Sequence, residues 1–330
     1  MKEVRYVTDS TANMPAAFRE QYAVTIVPVY VIFGDKSYKD YSEMPVEEFY
    51  SRLVKIKAEG GAMPTTSQPS PQDFVEAYNA LIRDGAQHII SIHVTAKSSG
   101  TVNSANIAKG MVSGAEIHVI DSGSTTMLMG YMIEEAQRVL DAGGGIDAAF
   151  AAIDKVKANS CLYFTVTELE HLEASGRTFG REQVTGSEIK IKPVLGVVDG
   201  VPKVISPERT QKAAIDKVIE LTRTAMNGKK IKGVTVVHGN ALDRAEPLKA
   251  RVNLANDASE EEDGTYVVRK GLVGSGERRC FQTVEVMLHF DAQKREVLDS
   301  EATGGRLITV EEYEALRQQP APQEDEGENA

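Results

Sequence analysis

Two stretches rich in hydroxyl side chains are suited to holding an anion. The first, residues 91–105, has the pattern of a strand, a turn and a helix. Ser98 and Ser99 are good helix N-caps there, and Gly100 lets another group approach closely. Because the first amides of a helix have no partner within it, this junction is a ready-made anion site.

The second stretch, residues 64–71, reads Pro-Thr-Thr-Ser-Gln-Pro-Ser-Pro and is predicted to be a turn before a helix. Ser70 is the expected N-cap and Pro71 the expected first helical residue. Two such turns at strand-to-helix junctions would line one edge of a parallel sheet, where ligands of open α/β folds bind.

The elements that must position these turns alternate between strand and helix patterns up to residue 158. This alternation predicts βαβ units and a parallel sheet, hence an α/β, Rossmann-like domain over residues 1–159. After Asn159 the pattern changes, and Asp199-Gly200 between two β-rich runs predicts a hairpin. We therefore expect a C-terminal α+β domain with a mixed sheet over residues 160–300 and a largely disordered polar tail over 301–330.

Charge and composition exclude several classes of protein. The net charge is −11, which makes nucleic acid an unsuitable partner. No apolar run is long enough for stable membrane insertion and no signal segment is recognised, so we expect a cytoplasmic protein. Cys161 and Cys280 make neither a disulfide framework nor a zinc site.

Histidine spacing indicates no metal site. The six histidines are scattered, and each is expected to be a packed or surface residue; His238, at the end of a strand pattern, is the best functional candidate. Asp9 and Asp121 end strand patterns, and we expect them to serve as turn residues rather than as a pair of catalytic acids.

A set of short motifs resembles the DegV family, bacterial proteins that bind fatty acids. The resemblance extends from about residue 4 to about residue 240, and its specificity lies in the order and spacing of the motifs. It implies two α/β domains that clasp a ligand, here a long-chain fatty acid in an apolar tunnel within or between the domains, with no cofactor and no catalytic residue. The matching segments are Val7-Thr-Asp-Ser-Thr11, Thr66-Ser-Gln-Pro69, Ser99-Gly-Thr101, Val119-Ile-Asp-Ser122, Leu172-Glu-Ala-Ser-Gly-Arg177, Ile191-Lys-Pro-Val-Leu195 and Arg209-Thr210.

By this resemblance, Thr66 and Ser99 hold the fatty-acid carboxylate, with Ser67 and Gly100 as weaker candidates. Hydroxyl donors to a carboxylate form charge-assisted hydrogen bonds, each worth about 1.5–3 kcal/mol. The alternative for Thr66 and Ser99 is that both are helix caps, and the two roles are compatible. The resemblance also implies that the bound acid is presented to a separate fatty acid kinase, which makes the acyl-phosphate.

Four arginines are candidates for the charged end of the site. Arg209 matches a family arginine near the carboxylate, and its alternative is a surface ion pair with Glu208 or Asp216. Arg177 would close the cleft or orient the kinase, unless it is a solvated turn residue. The family has a His-x-Gly-Pro-Gly segment near its C-terminus that is absent here. Arg278 or Arg279 would supply the missing charge.

Two other functions remain open from the residues alone. Ser99 would be the nucleophile of a hydrolase if a base such as His93 or His238 reached it, although no nucleophile elbow surrounds it. The hydroxyl-rich turns would otherwise hold a phosphate or sugar in a regulatory domain. Mass spectrometry of lipids extracted from the native protein would distinguish these functions.

Overall fold

The computed structural model describes residues 4–166, 191–226, 229–241, 245, 268–272, 283–297 and 308–309. The N-terminal half alternates strands and helices, as its sequence pattern predicts. Its elements are β1 (Val4–Asp9), α1 (Ala16–Gln21), β2 (Val24–Val27), β3 (Tyr30–Phe33), β4 (Lys36–Lys39), α2 (Val46–Glu59), β5 (Thr65–Ser67), α3 (Pro71–Arg83), β6 (His88–His93), α4 (Thr101–Lys109), β7 (Glu116–Asp121), α5 (Met127–Asp141) and α6 (Ile146–Ala158).

A four-stranded parallel sheet in the order β2-β1-β6-β7 is the centre of this half. All six residues of β6 are buried, as expected of a central strand covered on both faces. Because the strands are parallel, the loops that follow β1, β6 and β7 all leave from one edge. We call it the carboxyl edge, and the opposite edge the amino edge.

Helices cover both faces of the parallel sheet. α3 and α4 pack on one face, where Phe74, Tyr78 and Ala105 share a core cluster with Val7 and Ile89 of the strands. α5 and α6 belong to the core cluster of the other face. The α/β architecture with a parallel sheet is therefore confirmed.

A three-stranded antiparallel sheet in the order β4-β3-β5 lies beside the parallel sheet. The sequence pattern predicted a turn over residues 64–71, and this prediction is wrong for Thr65–Ser67, which form strand β5. The residues are β-branched or small and pair with Tyr30, Val31 and Ile32, so strand pairing outweighs the turn propensity of the neighbouring prolines.

The second half contains a mixed sheet in the order β10-β9-β8-β13-β11-β12, in which β11 and β12 are parallel and the other pairs on this path are antiparallel. The predicted hairpin is confirmed: Asp199 and Gly200 both have positive φ, as a two-residue hairpin turn requires. Its elements are β8 (Ser160–Thr165), β9 (Lys192–Val198), β10 (Val201–Glu208), α7 (Gln211–Met226), β11 (Lys229–Gly239), β12 (Val268–Leu272), β13 (Thr283–Val297) and β14 (Ile308–Thr309).

Helix α5 joins the two sheets. One continuous core cluster contains Ile92 of the parallel sheet, Met132 of α5 and Phe164 of the mixed sheet. The hydroxyl of Tyr131 lies 2.6 Å from Oγ1 of Thr235, and both side chains are buried. The predicted boundary near residue 159 falls between α6 and β8 and stays a prediction. Within the predicted tail, β14 pairs with β13, and the other tail residues lie outside the described ranges.

Candidate functional site

Hydrogen bonds from backbone amides connect the loops at the carboxyl edge. Oδ1 of Asp121 accepts hydrogen bonds from the amides of Ala96 at 3.2 Å and Gly123 at 2.9 Å. The amide of Thr95 donates to the carbonyl of Ser124 at 2.9 Å. The loops after β6 and β7 therefore form one unit, in which Asp121 has the turn role predicted for it.

The β9–β10 hairpin packs its tip against this unit. Nζ of Lys97 donates to the carbonyl of Asp199 at 2.7 Å. A Cβ on Gly200 would lie 2.5 Å from Oγ1 of Thr95, so only glycine fits this contact at a φ of +74°. The mixed sheet thus meets the carboxyl edge of the parallel sheet at the loop that precedes α4.

Ser99 and Gly100 lie at the beginning of α4, as the pattern predicts. The cap position itself is Gly100, one residue later than expected, with no side-chain cap hydrogen bond. Oγ of Ser99 instead accepts a hydrogen bond from the amide of Thr101 at 3.3 Å and lies 2.8 Å from its Oγ1. Ser99 is half-buried and lies directly before the N-cap of α4.

Thr66 and Ser67 reach the same region through the residue that follows them. The side chain of Gln68 packs over Gly100, where an added Cβ would lie only 2.3 Å from its Oε1. Its Nε2 also lies 3.5 Å from Oγ of Ser104 in α4. The fold therefore brings both hydroxyl-rich stretches to one place, with Thr66 half-buried and Ser67 exposed.

A capping box anchors this second stretch. Oγ of Ser70 accepts from the amide of Asp73 at 3.3 Å, and the carboxylate of Asp73 accepts from the amide of Ser70 at 2.8 Å. Pro71 is the first residue of α3, so both predictions for this junction are confirmed. Burial alone would raise the pKa of Asp73, but hydrogen bonds from Ser70 and Tyr30 and the charge of Lys39 hold the pKa below its usual value.

Of the four predicted arginines, the structure describes Arg209. Arg209 is exposed in the turn between β10 and α7. Of its two suggested partners, Glu208 accepts a hydrogen bond from Oγ of Ser206 at 2.7 Å and Asp216 pairs with Lys212 at 3.1 Å. A role of Arg209 at the carboxylate stays a prediction. Arg177, Arg278 and Arg279 lie outside the described residues.

Two residues of the carboxyl edge were missed as site candidates. Thr126, the residue before α5, has a φ of 55° and a ψ of −147°, a backbone conformation that is costly for a β-branched residue. Within the described ranges, buried Oγ of Ser124 has no hydrogen-bond partner. The polar turn at residues 121–126 was visible in the sequence, but backbone strain and an unpaired hydroxyl are properties of the folded loop.

A buried polar network runs from the carboxyl edge into the sheet. Oδ2 of Asp9 accepts hydrogen bonds from Nδ1 of His93 and from the amide of Val94, both at 3.0 Å. Nε2 of His93 lies 2.7 Å from Oγ of Ser91, which lies 2.8 Å from the hydroxyl of Tyr78. The side chains of these network residues are fully buried, and burial raises the pKa of Tyr78 to about 12.

This network bears on the hydrolase alternative. His93 is committed to Ser91 and Asp9, and it is sealed from solvent. Nδ1 of His238 lies 3.3 Å from the amide of Ala241, as an acceptor that holds the turn after β11. Both ring nitrogens of His93 are therefore occupied by partners other than Ser99. Asp9, which also accepts from the amide of Thr11, serves as the turn residue it was predicted to be.

Side chains of metal-ligating type converge elsewhere. His88, Glu116 and His118 lie together at the amino edge, although no spacing in the sequence predicted a metal site. Within the described residues, no helix is long and apolar enough to cross a membrane.

Sequence comparison places this architecture among known proteins. A family profile described as "Uncharacterised protein, DegV family" matches residues 3–265. The chain belongs to the DegV family. A DegV domain-containing protein of Halalkalibacterium halodurans is 36% identical over 248 residues, which cover 75% of this chain and 86% of the relative. Protein DegV of Bacillus subtilis is 30% identical over 247 residues, covering 74% and 86% of the two chains.

Solved structures of DegV proteins share the fold. The fatty-acid-binding DegV family protein of Thermus thermophilus superposes with a TM-score of 0.77 at 27% identity, covering 88% of this chain and all of that one. DegV of Bacillus subtilis, described as a fatty acid binding protein, also has a TM-score of 0.77, at 25% identity and with the same coverage. The fold and the family predicted from the sequence are therefore confirmed.

Proposed function

We propose that this protein binds a long-chain fatty acid with its carboxylate at the carboxyl edge of the parallel sheet. The observation that carries the proposal is the contact of Gln68 with Gly100 and Ser104, which joins the Thr66 and Ser99 stretches at the N-terminus of α4. Hydroxyl groups, unpaired helix amides and the positive end of the helix dipole all favour a bound carboxylate there. The fatty-acid-binding DegV proteins of the same fold support this ligand.

The apolar chain of such a ligand has a suitable environment below that edge. Met127, Met129 and Met132 at the beginning of α5 are buried between the two sheets, beside the loop that contains Ser124. Methionine side chains are flexible and polarizable, and they fit irregular apolar shapes. Since each buried methylene contributes about 0.8 kcal/mol, a chain of about 15 methylenes contributes roughly 12 kcal/mol before ordering costs. An apolar tunnel here stays a prediction.

The carboxylate then fixes the direction of the ligand, and the protein acts as a cytoplasmic carrier rather than as an enzyme. Ser99 is half-buried and Ser67 and Arg209 are exposed, so the polar end of the ligand is accessible to a second protein. In this proposal a separate fatty acid kinase phosphorylates the presented carboxylate. Arg177 contacts that kinase in the proposal, and Arg278 or Arg279 supplies positive charge near the carboxylate.

Mass spectrometry of lipids extracted from the native protein tests the proposal. We expect about one fatty acid per chain in the wild type and a loss of most of it in the double variant Thr66→Val, Ser99→Ala. The matched control is Ser51→Ala with Thr224→Ala. Both controls are exposed residues whose hydroxyl groups donate to a carbonyl of their own helix. Equal lipid in the two double variants would contradict the proposed site.

A phosphate- or sugar-binding regulatory domain is the second candidate, because the N-terminus of α4 suits a phosphate as well as a carboxylate. Protein purified without lipid, and stabilised by inorganic phosphate but not by added palmitate in a thermal-shift measurement, would favour that candidate. Stabilisation by palmitate alone supports the carrier.

A further inference from the structure

The amino edge of the parallel sheet brings together three side chains that ligate metals. His88 begins β6 and is the direct partner of Glu116, which begins β7. Successive side chains of a strand point to opposite faces, so His118, two residues after Glu116, lies on the same face as Glu116. Parallel pairing thus collects an acid and two imidazoles from two strands at the end opposite the proposed carboxylate site.

Their donor atoms have the separations of a coordination shell. Nδ1 of His88 and Nε2 of His118 are 3.5 Å apart. The two carboxylate oxygens of Glu116 lie 3.4 Å from His88 Nδ1 and 3.7 Å from His118 Nε2. Ligands held at about 2.0–2.1 Å around a tetrahedral zinc ion are about 3.4 Å from one another. The separations of the three side chains are therefore close to those between the ligands of a tetrahedral ion.

The surroundings keep the imidazoles in place and available. His118 packs against the ring of Phe150 with centroids 4.7 Å apart and stacks on His88 at 5.7 Å. Glu116, Lys109 and Asp147 lie near the ring of His118, so charges of both signs surround it.

An open position for a further ligand lies beside the cluster. His88 and Glu116 line a cleft of about 480 Å³, which is also bounded by Gln137 and Asp141 of α5 and by Ile146 of α6. Sites with three protein ligands and an accessible fourth position hold water or a small ligand on the metal. Imidazole ligands suit zinc and its transition-metal neighbours rather than magnesium or calcium. The two histidines therefore favour an ion of the zinc class.

We propose that His88, Glu116 and His118 form a binding site for one divalent transition-metal ion of the zinc class. The site is separate from the carboxyl edge and takes its ligands from the other ends of β6 and β7. Water or a small anionic ligand in the adjoining cleft completes the coordination.

Calorimetric titration of the full-length, tag-free protein with zinc chloride tests this site. We expect one zinc ion per chain bound at micromolar or tighter affinity, with no heat from magnesium chloride. Glu116→Gln removes a charged ligand from an exposed position, and we expect it to weaken binding by at least about 10-fold, since even the loss of an outer-shell partner costs about 10–100-fold. Glu47→Gln, an exposed glutamate at the beginning of α2, is the matched control and leaves the affinity unchanged.

Cobalt(II) provides a spectroscopic readout of the same site. Titration of the wild type should produce the intense visible bands of tetrahedral cobalt, and His118→Asn should abolish them while circular dichroism shows that the variant is folded. Zinc binding that is absent in the wild type, or that is equal in the wild type and Glu116→Gln, would overturn the proposal. Lipid content is measured on the same samples and is expected to be unchanged in Glu116→Gln, which separates this proposal from that of the fatty-acid site.

Discussion

The two edges of the parallel sheet use the same strands for opposite chemistry. At the carboxyl edge, hydroxyl groups and the amides at the start of α4 face the loops, with Ser99 at the helix N-terminus. At the amino edge, His88, His118 and Glu116 present lone pairs and a negative charge. The first arrangement attracts anions and the second attracts cations.

The edges also differ in how they are supported. The carboxyl edge lies on the buried network of Asp9, His93 and Ser91, and its loops are fixed by Asp121. The amino edge is open, and the side chain of Glu116 is 65% exposed. The carboxyl edge therefore depends on a polar network inside the sheet, whereas the amino edge depends on strand register alone. Substitutions can therefore disrupt the carboxyl edge by lowering the stability of the fold. At the amino edge they can remove a side chain without changing that stability.

The largest effect is expected from Asp9→Ala. The substitution leaves the amide of Val94 and Nδ1 of His93 without their acceptor in a fully buried region. Removing one partner of such a buried pair costs about 3–5 kcal/mol of the free energy of unfolding, and we expect a loss of that size in urea denaturation at pH 7.

Glu116→Gln is the counterpart of that variant at the amino edge. Its ion pairs with His88 and His118 are exposed on the glutamate side, so we expect a change of less than about 1 kcal/mol in the same measurement. Equal losses in the two variants would contradict the contrast between a scaffolded and an open edge.

A smaller effect is expected from Ser70→Ala in the capping box of α3. The loss of the cap should lower the free energy of unfolding by about 1 kcal/mol at pH 7. Because Asp73 has a lowered pKa in the folded state, its contribution is present above the unfolded pKa and disappears as the pH falls through the folded pKa.

Urea denaturation of wild type and Ser70→Ala as a function of pH tests that sign. The difference between the two proteins should shrink as the pH falls from the pKa of an unfolded aspartate, about 3.9, towards the lower pKa of Asp73 in the folded protein. A difference that grows towards acidic pH would show that Asp73 does not stabilise the cap as a carboxylate.

The smallest effect on stability, with a large effect on binding, is expected from Gly100→Ala. The φ of Gly100 is −80°, which alanine tolerates, but the new Cβ displaces the flexible end of Gln68. We expect the free energy of unfolding to change by less than about 1 kcal/mol. Palmitate affinity should fall at least about tenfold in a fluorescence displacement assay, because the contact between the two hydroxyl-rich stretches is lost. Unchanged palmitate affinity would contradict a role of Gln68 in the site.

Much of the fold was predictable from local patterns. The helix over Ile146–Ala158 follows from its spacing of apolar residues, and the Asp199-Gly200 hairpin follows from its turn residues. Strand β5 was not predicted, because its three residues carry no periodic pattern and pair only through contacts with β3 that are distant in the sequence.

The candidate site was predictable to the level of its segments. Ser99 and Gly100 were identified because the residues around them have a strand-turn-helix pattern. Gln68 and Thr126 were not, since the packing of one and the backbone strain of the other exist only in the folded loops. The cluster at the amino edge needed the register of β6 and β7, which places His88 beside Glu116 although 27 residues separate them in the chain.

A crystal structure of the protein with bound palmitate would locate the carboxylate and the acyl chain of the ligand. We expect carboxylate oxygens about 2.5–3.2 Å from Oγ1 of Thr66 and Oγ of Ser99, with the acyl chain directed towards Met127 and Met129. A carboxylate bound away from the N-terminus of α4, or an acyl chain that runs outside the space between the two sheets, would contradict this expectation.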